Sequence, residues 1–406
     1  MRNFLLFLLL VSVSALSAEP VNEKRASSSS TSSCHYLATL FDSSINTPTF
    51  LASFPTVDEG PLHHSAFLYD NAVAAIALIA CGETNKARRI GDAILVAQAN
   101  DRFWHDNRLR NAYAAGEVND KPVKLPGWWD KTKNQWLEDR YQVGSDIGNM
   151  AWAMLALLAL DNASHDQKYR DAALKLANWI LIWHDNRGGG GFKGGSFAHE
   201  PDPILLSWKS TEHNTDLTAA FNLLAKVNGD RKWQDYAEET NRFVMSMWNS
   251  EKQSFATGVG DDGVTINPIL ALDAQVWPLL AIPQFSKKYV GIISTAKNHI
   301  NFEEGFAYSE AKEGVWTEGT AQMLLLYELL GRNSDAGILR SVIAKQKSEE
   351  GGYFATSIST LPTSFMLATD PTKPRLYYHL PHLGAAAWVA LAEQKFNPFT
   401  TTHSLP

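Results

Sequence analysis

Long apolar segments and basic runs are the features that this sequence has least of. After the N-terminal segment, no stretch reaches the roughly 18 uninterrupted apolar residues that a membrane span needs, so we expect a soluble mature chain without a membrane partner. The 36 Lys and Arg against 43 Asp and Glu leave a net charge of −7, and no basic run interleaves with aromatic residues. Such a chain offers a polyanion no positive field, which excludes nucleic acid as an expected partner.

Cysteine is almost absent, with only Cys34 and Cys81 in 406 residues. In an oxidising compartment two cysteines can form one disulfide, and this is the pairing that we predict. Two buried free thiols are the alternative.

Motifs for metals and cofactors are also missing. No HExxH sequence or comparable His/carboxylate spacing occurs, so no metal site is predicted. The glycine-rich run Gly188–Gly195 lacks the GK[ST] ending of a phosphate loop, and "GDDG" at Gly260–Gly263 matches a turn better than a calcium loop. We expect no cofactor.

The N-terminus has the organisation of a secretory signal. Residues 1–18 combine Arg2, a short apolar core and small residues, and the dibasic pair Lys24-Arg25 precedes a serine-rich segment that ends at residue 33. We predict a secreted protein that is processed after Arg25, although a surface loop can also carry Lys-Arg. Asn162 begins the one glycosylation sequon, which we expect in a surface loop.

One pattern recurs six times along the chain: a polar or acidic cluster, an apolar helix, a turn, an amphipathic helix and a Gly/aromatic segment. The first helix of each pair is apolar nearly all round, as expected of a helix buried on every side, whereas the second has an apolar stripe opposite charges. The predicted starts of these inner helices are Tyr69, Ser145, Thr211, Leu272, Thr317 and Pro381.

Six such hairpins can form an open superhelix or a closed toroid. The sixth inner helix has no outer partner after it, and the segment that begins at Cys34 could supply that partner and close the ring. The repetition favours a single domain over residues 34–399 with a tail at 400–406, and we expect a monomer. We therefore predict an all-α fold, an (α/α)6 toroid with short Gly/aromatic loop segments.

The six hairpins, the acidic inner-helix starts and the many tryptophans resemble the (α/α)6 barrel of the six-hairpin glycosidases. The resemblance covers almost the whole mature chain. It implies a glycoside hydrolase that uses acid/base catalysis, mostly with inversion, and an acid on the loop into the third inner helix, where Glu212 lies.

In a parallel ring the inner-helix N-termini gather on one face, where their N–H groups favour carboxylates and polar ligands. Capping alone explains many single Asp, Asn, Ser and Thr residues at helix starts, but not the accompanying amides, histidines and aromatics. The predicted catalytic carboxyls are Glu212, Asp146, Glu318, Asp70 and Asp273. The predicted ligand contacts are Tyr69, Trp128, Trp129, His213, Asn214, Asp216, Gln275, Trp316, His379 and His382.

The cluster at the third inner helix carries the most polar groups. Glu212 and Asp216 are four residues apart, and a like-charge pair at that spacing costs a helix about 0.2–0.5 kcal/mol. Crowding by a second carboxylate and by aromatics raises a carboxyl pKa, which suits a general acid. We therefore predict Glu212 as the acid, with Asp146 and Glu318 ranked first among the candidate bases.

Aromatic residues in a long polar loop complete the predicted site. Trp128 and Trp129 offer flat surfaces for the C–H faces of sugar rings, whereas Trp152, Trp277 and Trp388 lie within apolar helices and are expected in the core. A neutral glycan is the expected substrate. Two alternatives stay open: a polysaccharide lyase that uses a Tyr/His set, and a carbohydrate-binding toroid whose acids are only caps.

Overall fold

The computed structural model describes residues 32–42, 46–367 and 370–406. The predicted signal sequence, the dibasic pair Lys24-Arg25 and all but the last residues of the serine-rich segment lie outside these ranges. Within them, every helix falls short of the length and apolar character needed to cross a membrane.

The described residues form thirteen α-helices and two short 3-10 helices at Leu181–Trp183 and Arg187–Gly189. In chain order the α-helices are α1 (Ser32–Thr39), α2 (Leu68–Ala80), α3 (Thr84–Ala99), α4 (Ile147–Ser164), α5 (Gln167–Ile180), α6 (Thr211–Asn228), α7 (Arg231–Ser246), α8 (Asp273–Ala281), α9 (Phe285–Lys288), α10 (Gly291–His299), α11 (Thr317–Leu329), α12 (Asn333–Ala344) and α13 (Leu383–Glu393).

Six of these helices form a closed inner ring. Each packs on the next in the order α2, α4, α6, α8, α11 and α13, and α13 packs on α2. All six begin within two residues of the predicted starts. In α4 every residue from Ile147 to Leu160 is buried, as its all-round apolar sequence predicts. The (α/α)6 toroid expected from the sequence is confirmed.

The outer helices pack against the inner helices that precede them. α3, α5, α7 and α12 contact α2, α4, α6 and α11 respectively, whereas the partner of α8 is divided into α9 and α10. α1 packs on α13 and α2, so the segment at Cys34 does supply the sixth outer partner. A disulfide joins Cys34 to Cys81 and ties α1 to the end of α2, as predicted.

Short strands connect the helices in two- and three-stranded antiparallel sheets. They are β1 (Thr49–Phe50), β2 (Ser65–Phe67), β3 (Ala112–Ala114), β4 (Gly116–Glu117), β5 (Trp128–Asp130), β6 (Gln135–Leu137), β7 (Ser145–Asp146), β8 (Gly195–Phe197), β9 (Ile204–Leu206), β10 (Lys209–Ser210), β11 (Trp248–Asn249), β12 (Ser254–Phe255), β13 (Gly258–Val259), β14 (Ile266–Asn267), β15 (Asn301–Phe302), β16 (Gly305–Phe306), β17 (Thr360–Leu367) and β18 (Asp370–Tyr378).

The pairing of β17 with β18 differs from the short loop pieces expected from the sequence. The two strands form an antiparallel hairpin with register shifts near Met366. Pro362, Pro371 and Pro374 argue against a strand within a wide sheet, but a two-stranded hairpin consists only of edges, which tolerate proline.

Aromatic side chains fill the ring below the N-termini of the inner helices. Trp152, Trp277 and Trp388 are at most 2% exposed, which confirms their predicted core position. Their ring centroids are 5.2–6.0 Å apart, and Phe399 lies 5.1 Å from Trp152. Edge-to-face and offset pairs at this spacing add to the stability gained by burial. The packed indole rings close the ring below its mouth.

Two peripheral predictions need correction. Asn162 is exposed but belongs to the last turn of α4 instead of a loop. The C-terminal residues do not form a separate tail, because Asn397 donates hydrogen bonds to Leu280 O at 2.8 Å and to Ser404 O at 3.2 Å.

Candidate active site

The five predicted carboxyls divide into two groups at the mouth of the ring. Asp146, Glu212 and Asp273 lie at the starts of the consecutive inner helices α4, α6 and α8. Glu318 starts α11 and Asp70 starts α2, with α13 between them. The order of the helices therefore places the two groups on opposite sides of the ring.

The second group consists of Glu318 and Asp70, whose carboxyls contact Tyr69 and His382. The Tyr69 hydroxyl donates a hydrogen bond to Oε1 of Glu318 and accepts one from Trp388 Nε1 at 2.8 Å. Nε2 of His382 lies 3.2 Å from Oδ2 of Asp70, and its Nδ1 lies 3.9 Å from Oε2 of Glu318. Because Ala385 N donates to Nδ1 at 3.3 Å, Nε2 is the nitrogen that donates to Asp70.

The pKa values of Glu318 and His382 are both raised, which disfavours the charged form of the carboxyl and favours the charged form of the imidazole. Burial raises the pKa of Glu318 to about 7, against the opposing charge of His382 and the hydrogen bond from Tyr69. Burial alone would lower the pKa of His382, but the charge and hydrogen bond of Asp70 raise it. Glu318 can therefore exchange a proton near neutral pH.

Gly384 explains how the start of α13 approaches both carboxyls. A Cβ at this position would lie 2.7 Å from Oδ1 of Asp70 and 3.3 Å from Oε2 of Glu318. Only glycine leaves room for the two acids against the helix backbone.

In the first group, Asp146 pairs with His213. Oδ1 of Asp146 accepts a hydrogen bond from Gly148 N at 3.1 Å, so the residue caps α4, and it also lies 3.3 Å from Nε2 of His213. Burial raises the pKa of Asp146 and lowers that of His213. Both shifts favour uncharged forms.

Glu212 and Asp273 interact directly, together with Tyr308. Burial, followed by the negative charge of Asp273, raises the pKa of Glu212 well above its usual value. Burial also raises the pKa of Asp273, to about 6, although hydrogen bonds from Ala274 N, Tyr308 and Glu212 oppose the shift. Two carboxyls in contact cannot both ionise readily, and Glu212 has the stronger hold on the proton.

Asp216 does not have the ligand-contacting position predicted for it. It lies one helical turn inside the ring from Glu212 and is completely buried, without a close hydrogen bond from the described residues to either carboxylate oxygen, and only the Trp152 side chain opposes the rise in its pKa by hydrogen bonding. Burial, and then the nearby Glu212, raise its pKa well above the usual value. A carboxyl so placed is stable only as the neutral acid.

The predicted ligand-binding amides Asn214 and Gln275 also have a different role. Asn214 accepts a hydrogen bond from Phe192 N at 2.8 Å and donates to Phe192 O and Ser210 O. Gln275 makes the same three bonds to Phe255 N, Phe255 O and Ala271 O. Both amides are fully buried and hold the incoming chain against the inner helix.

Two further predicted contacts have neighbours within the protein, Trp316 in the core and His379 at the surface. Trp316 is 2% exposed, with its ring 4.8 Å from that of Tyr308 and 5.7 Å from that of Tyr377. His379 stacks on Phe354 at 4.0 Å, and its Nδ1 lies 2.5 Å from Thr356 O. Trp316 thus contributes to the wall behind Tyr308.

The β17–β18 hairpin adds Arg375, which the sequence analysis did not select, and Tyr377, which it considered only within the Tyr/His set of the lyase alternative. Tyr377, on β18, lies 6.2 Å from His382 between ring centroids, and it is also close to Tyr308. The positive charge of Arg375 opposes the rise in pKa of Glu212, Asp146 and Asp273. The run of Thr, Leu, Phe and Tyr around "ATDPT" was the sequence signal for this hairpin.

Trp128 and Trp129 lie on β5, in a surface groove beside the mouth. The groove is also lined by His63, His64 and Trp136, and none of the five helix-mouth carboxyls contributes to its wall. The structure therefore separates the predicted tryptophan contacts from the acids.

Comparison with known proteins identifies the fold. No protein-family model matches the chain, and no curated sequence does. Among solved structures, a glycosidase variant in complex with glucose superposes with a TM-score of 0.58 at 12% identity, covering 90% of this chain and 96% of its own. Cellobiose 2-epimerase from Bacillus thermoamylovorans B4167 gives 0.59 at 12% identity, with 88% and 95% covered.

A family 76 glycoside hydrolase from a bovine Bacteroides thetaiotaomicron strain gives a TM-score of 0.56 at 12% identity, over 88% of this chain and 76% of that one. These structures share the (α/α)6 toroid with this chain. At this level of identity the similarity identifies the architecture, and the chemistry must be argued from the residues at the mouth.

Proposed function

We propose that this protein is a sugar-acting enzyme, specifically a secreted glycoside hydrolase that cleaves a neutral glycan with inversion. The observation that carries the proposal is the division of the buried carboxyls into two groups on opposite sides of one mouth. One group contains a carboxyl that retains its proton, Glu212, and the other contains Glu318, which can ionise near neutral pH. Glycoside hydrolysis needs such a pair.

Glu212 is the proposed general acid. Its raised pKa keeps the proton available at neutral pH, and its position at the start of α6 directs it into the mouth, where it is partly exposed. It donates this proton to the glycosidic oxygen as the bond from that oxygen to the anomeric carbon breaks.

Glu318 is the proposed general base. It takes a proton from a water molecule whose oxygen attacks the anomeric carbon from the opposite face, and the hydrogen bond from Tyr69 fixes its carboxylate. The contact between Glu212 and Asp273 is too close to admit a sugar between them, which argues against Asp273 as the base. We assign the Asp146–His213 pair to positioning the substrate.

The test is release of reducing ends from neutral oligo- and polysaccharides by wild-type protein and by Glu212→Gln and Glu318→Gln. Each substitution should lower kcat by roughly 10²–10⁴-fold, the usual contribution of a positioned acid or base. Glu238→Gln, an exposed glutamate on the outer helix α7, is the control and should match wild type. Full activity of Glu212→Gln would rule out the assigned acid.

A second candidate is epimerisation or isomerisation of a reducing sugar. Two histidine–carboxylate pairs favour it, His213 with Asp146 and His382 with Asp70, because a histidine near a sugar carbon can remove and return a proton. The similarity in fold to cellobiose 2-epimerase supports the same idea.

Incubation of wild-type protein with reducing disaccharides in deuterium oxide separates the two functions. A hydrolase releases monosaccharides without placing deuterium on carbon, whereas an epimerase incorporates deuterium at the carbon next to the carbonyl and leaves the glycosidic bond intact. Unsaturated products would instead indicate the lyase alternative.

A further inference from the structure

A large groove lies on the same rim of the ring as the acidic mouth. One wall comes from residues 58–64, which precede β2 and α2, and the other from residues 122–138, which precede α4. Its volume is about 1190 Å³, which exceeds the roughly 300–1,000 Å³ of pockets that enclose small ligands. The proposed catalytic steps make no use of it.

Two tryptophans give this groove its exposed apolar surface. Trp129 and Trp136 are 53% and 56% exposed. They are directly opposite each other in the β5–β6 pair, so both project from one face of the hairpin. Among the described residues they are the only tryptophans among the exposed large apolar side chains.

Packing restricts one of these indoles. A Cβ at Gly127 would lie 2.6 Å from Cε2 of Trp136, so the absence of a side chain lets the indole lie directly against the backbone. A side chain held in this way presents its ring without a large further loss of conformational freedom on binding.

The charges of the groove are largely neutralised within the protein. Arg102 pairs with Glu138 at 2.6 Å and with Glu200 at 2.5 Å, and Lys131 reaches Glu59 on the other wall at 3.6 Å. Four acidic and three basic side chains line the groove in all, Asp58, Glu59, Asp130 and Glu138 against Arg102, Lys124 and Lys131. Such a surface suits a ligand that is polar but uncharged.

We propose that this groove is an accessory glycan-binding site, which holds part of a neutral polysaccharide away from the bond being cleaved. Trp129 and Trp136 stack on the C–H faces of sugar rings, and the surrounding polar groups hydrogen-bond to hydroxyls. The choice of a neutral glycan rests on the proposed function. The position of the groove beside the starts of α2 and α4 would keep a bound chain near the mouth.

The experiment uses full-length Glu212→Gln protein and measures its co-sedimentation with insoluble starch, cellulose and yeast cell-wall glucan. At least one polymer should be bound. Adding Trp129→Ala and Trp136→Ala together should weaken that binding by roughly 5- to 150-fold, the combined effect of two aromatic contacts. Replacing both by Tyr retains flat rings and should preserve most of the binding.

Val290→Ala, which trims an exposed apolar side chain on the link between α9 and α10, is the matched control. Thermal unfolding of the double variant and binding by the single variant Trp129→Ala test whether a loss of binding comes from a folding defect. Unchanged binding by the folded alanine variants, or no binding of any polymer by the parent, overturns the accessory site. Because binding is measured without turnover, polymer capture by a wild-type protein that cleaves nothing would refute only the hydrolase proposal.

Discussion

At the scale of single residues, Glu212 and Asp216 have similar sequence positions but different surroundings. Glu212 lies at the mouth, where Asp273 and Arg375 act on it and where water or a substrate can reach it. Asp216, one turn further along α6, is completely enclosed, without a close hydrogen bond from the described residues to its carboxylate oxygens. The i, i+4 pair therefore consists of a partly exposed acid and a completely buried one.

Asp216→Asn should stabilise the protein at pH 8 more than at pH 5. The pKa of Asp216 is raised by burial in the folded state, so its contribution to stability is fully present below the unfolded-chain pKa of about 3.9 and is lost as pH rises through the folded value. Asparagine has the same shape but no proton to lose. Thermal unfolding of both proteins at the two pH values measures the difference.

Glu238→Gln, which alters an exposed carboxyl on the outer helix α7, is the control variant. An equal destabilisation by Asp216→Asn at both pH values would contradict the neutral-acid interpretation, because it would mean that folding does not change the affinity of this carboxyl for a proton.

At the scale of elements, buried amides join the connecting strands to the inner helices. Asn71 on α2 accepts a hydrogen bond from Leu51 N and donates to Leu51 O and Phe67 O. Asn214 and Gln275 repeat this arrangement on α6 and α8. These three polar residues at inner-helix starts therefore hold elements together through backbone hydrogen bonds.

Asn214→Ala should lower stability and not simply weaken substrate binding. The change leaves the N–H and C=O of Phe192 without their partner, and each unsatisfied buried group costs about 1–3 kcal/mol of unfolding free energy. Chemical denaturation measures this loss. Asn222→Ala, on the same helix, is the control, and a drop in affinity at unchanged stability would restore the role predicted from sequence.

The β17–β18 hairpin is the element that sequence reasoning missed. Its strands contain prolines, and its contribution to the mouth through Tyr377 depends on where it folds back on the ring. Periodicity detects helices that bury a face, but it carries little information about an isolated hairpin, in which neither strand needs a regular apolar alternation.

At the scale of the whole molecule, α1 completes the outer layer of the ring. This helix precedes the first hairpin in the chain, yet it packs on α13, the last inner helix. The disulfide from Cys34 to Cys81 spans a sequence separation of 47 residues and holds α1 beside the end of α2.

Replacing both cysteines by serine should lower the free energy of unfolding by about 4 kcal/mol, the chain-entropy value for a loop of this length. Denaturant unfolding of the variant and of wild type, each with and without reductant, measures it. Reductant should bring wild type to the level of the variant and leave the variant unchanged. Equal stability of all four samples would show that the ring closes without help from the bridge.

The sequence by itself determined the six hairpins, the identity of the inner helices, the disulfide pair and the face on which Asp70, Asp146, Glu212, Asp273 and Glu318 gather. The hairpins and inner helices follow from hydrophobic periodicity, the shared face follows from the geometry of parallel helix starts, and the disulfide follows from the presence of only two cysteines. Only the tertiary structure decided which acids are neighbours, that Asp216 is enclosed, that Asn214 and Gln275 bind backbone, and that the tryptophan groove is separate from the mouth. Contacts between distant segments depend on how whole elements pack, and no local pattern encodes those distances.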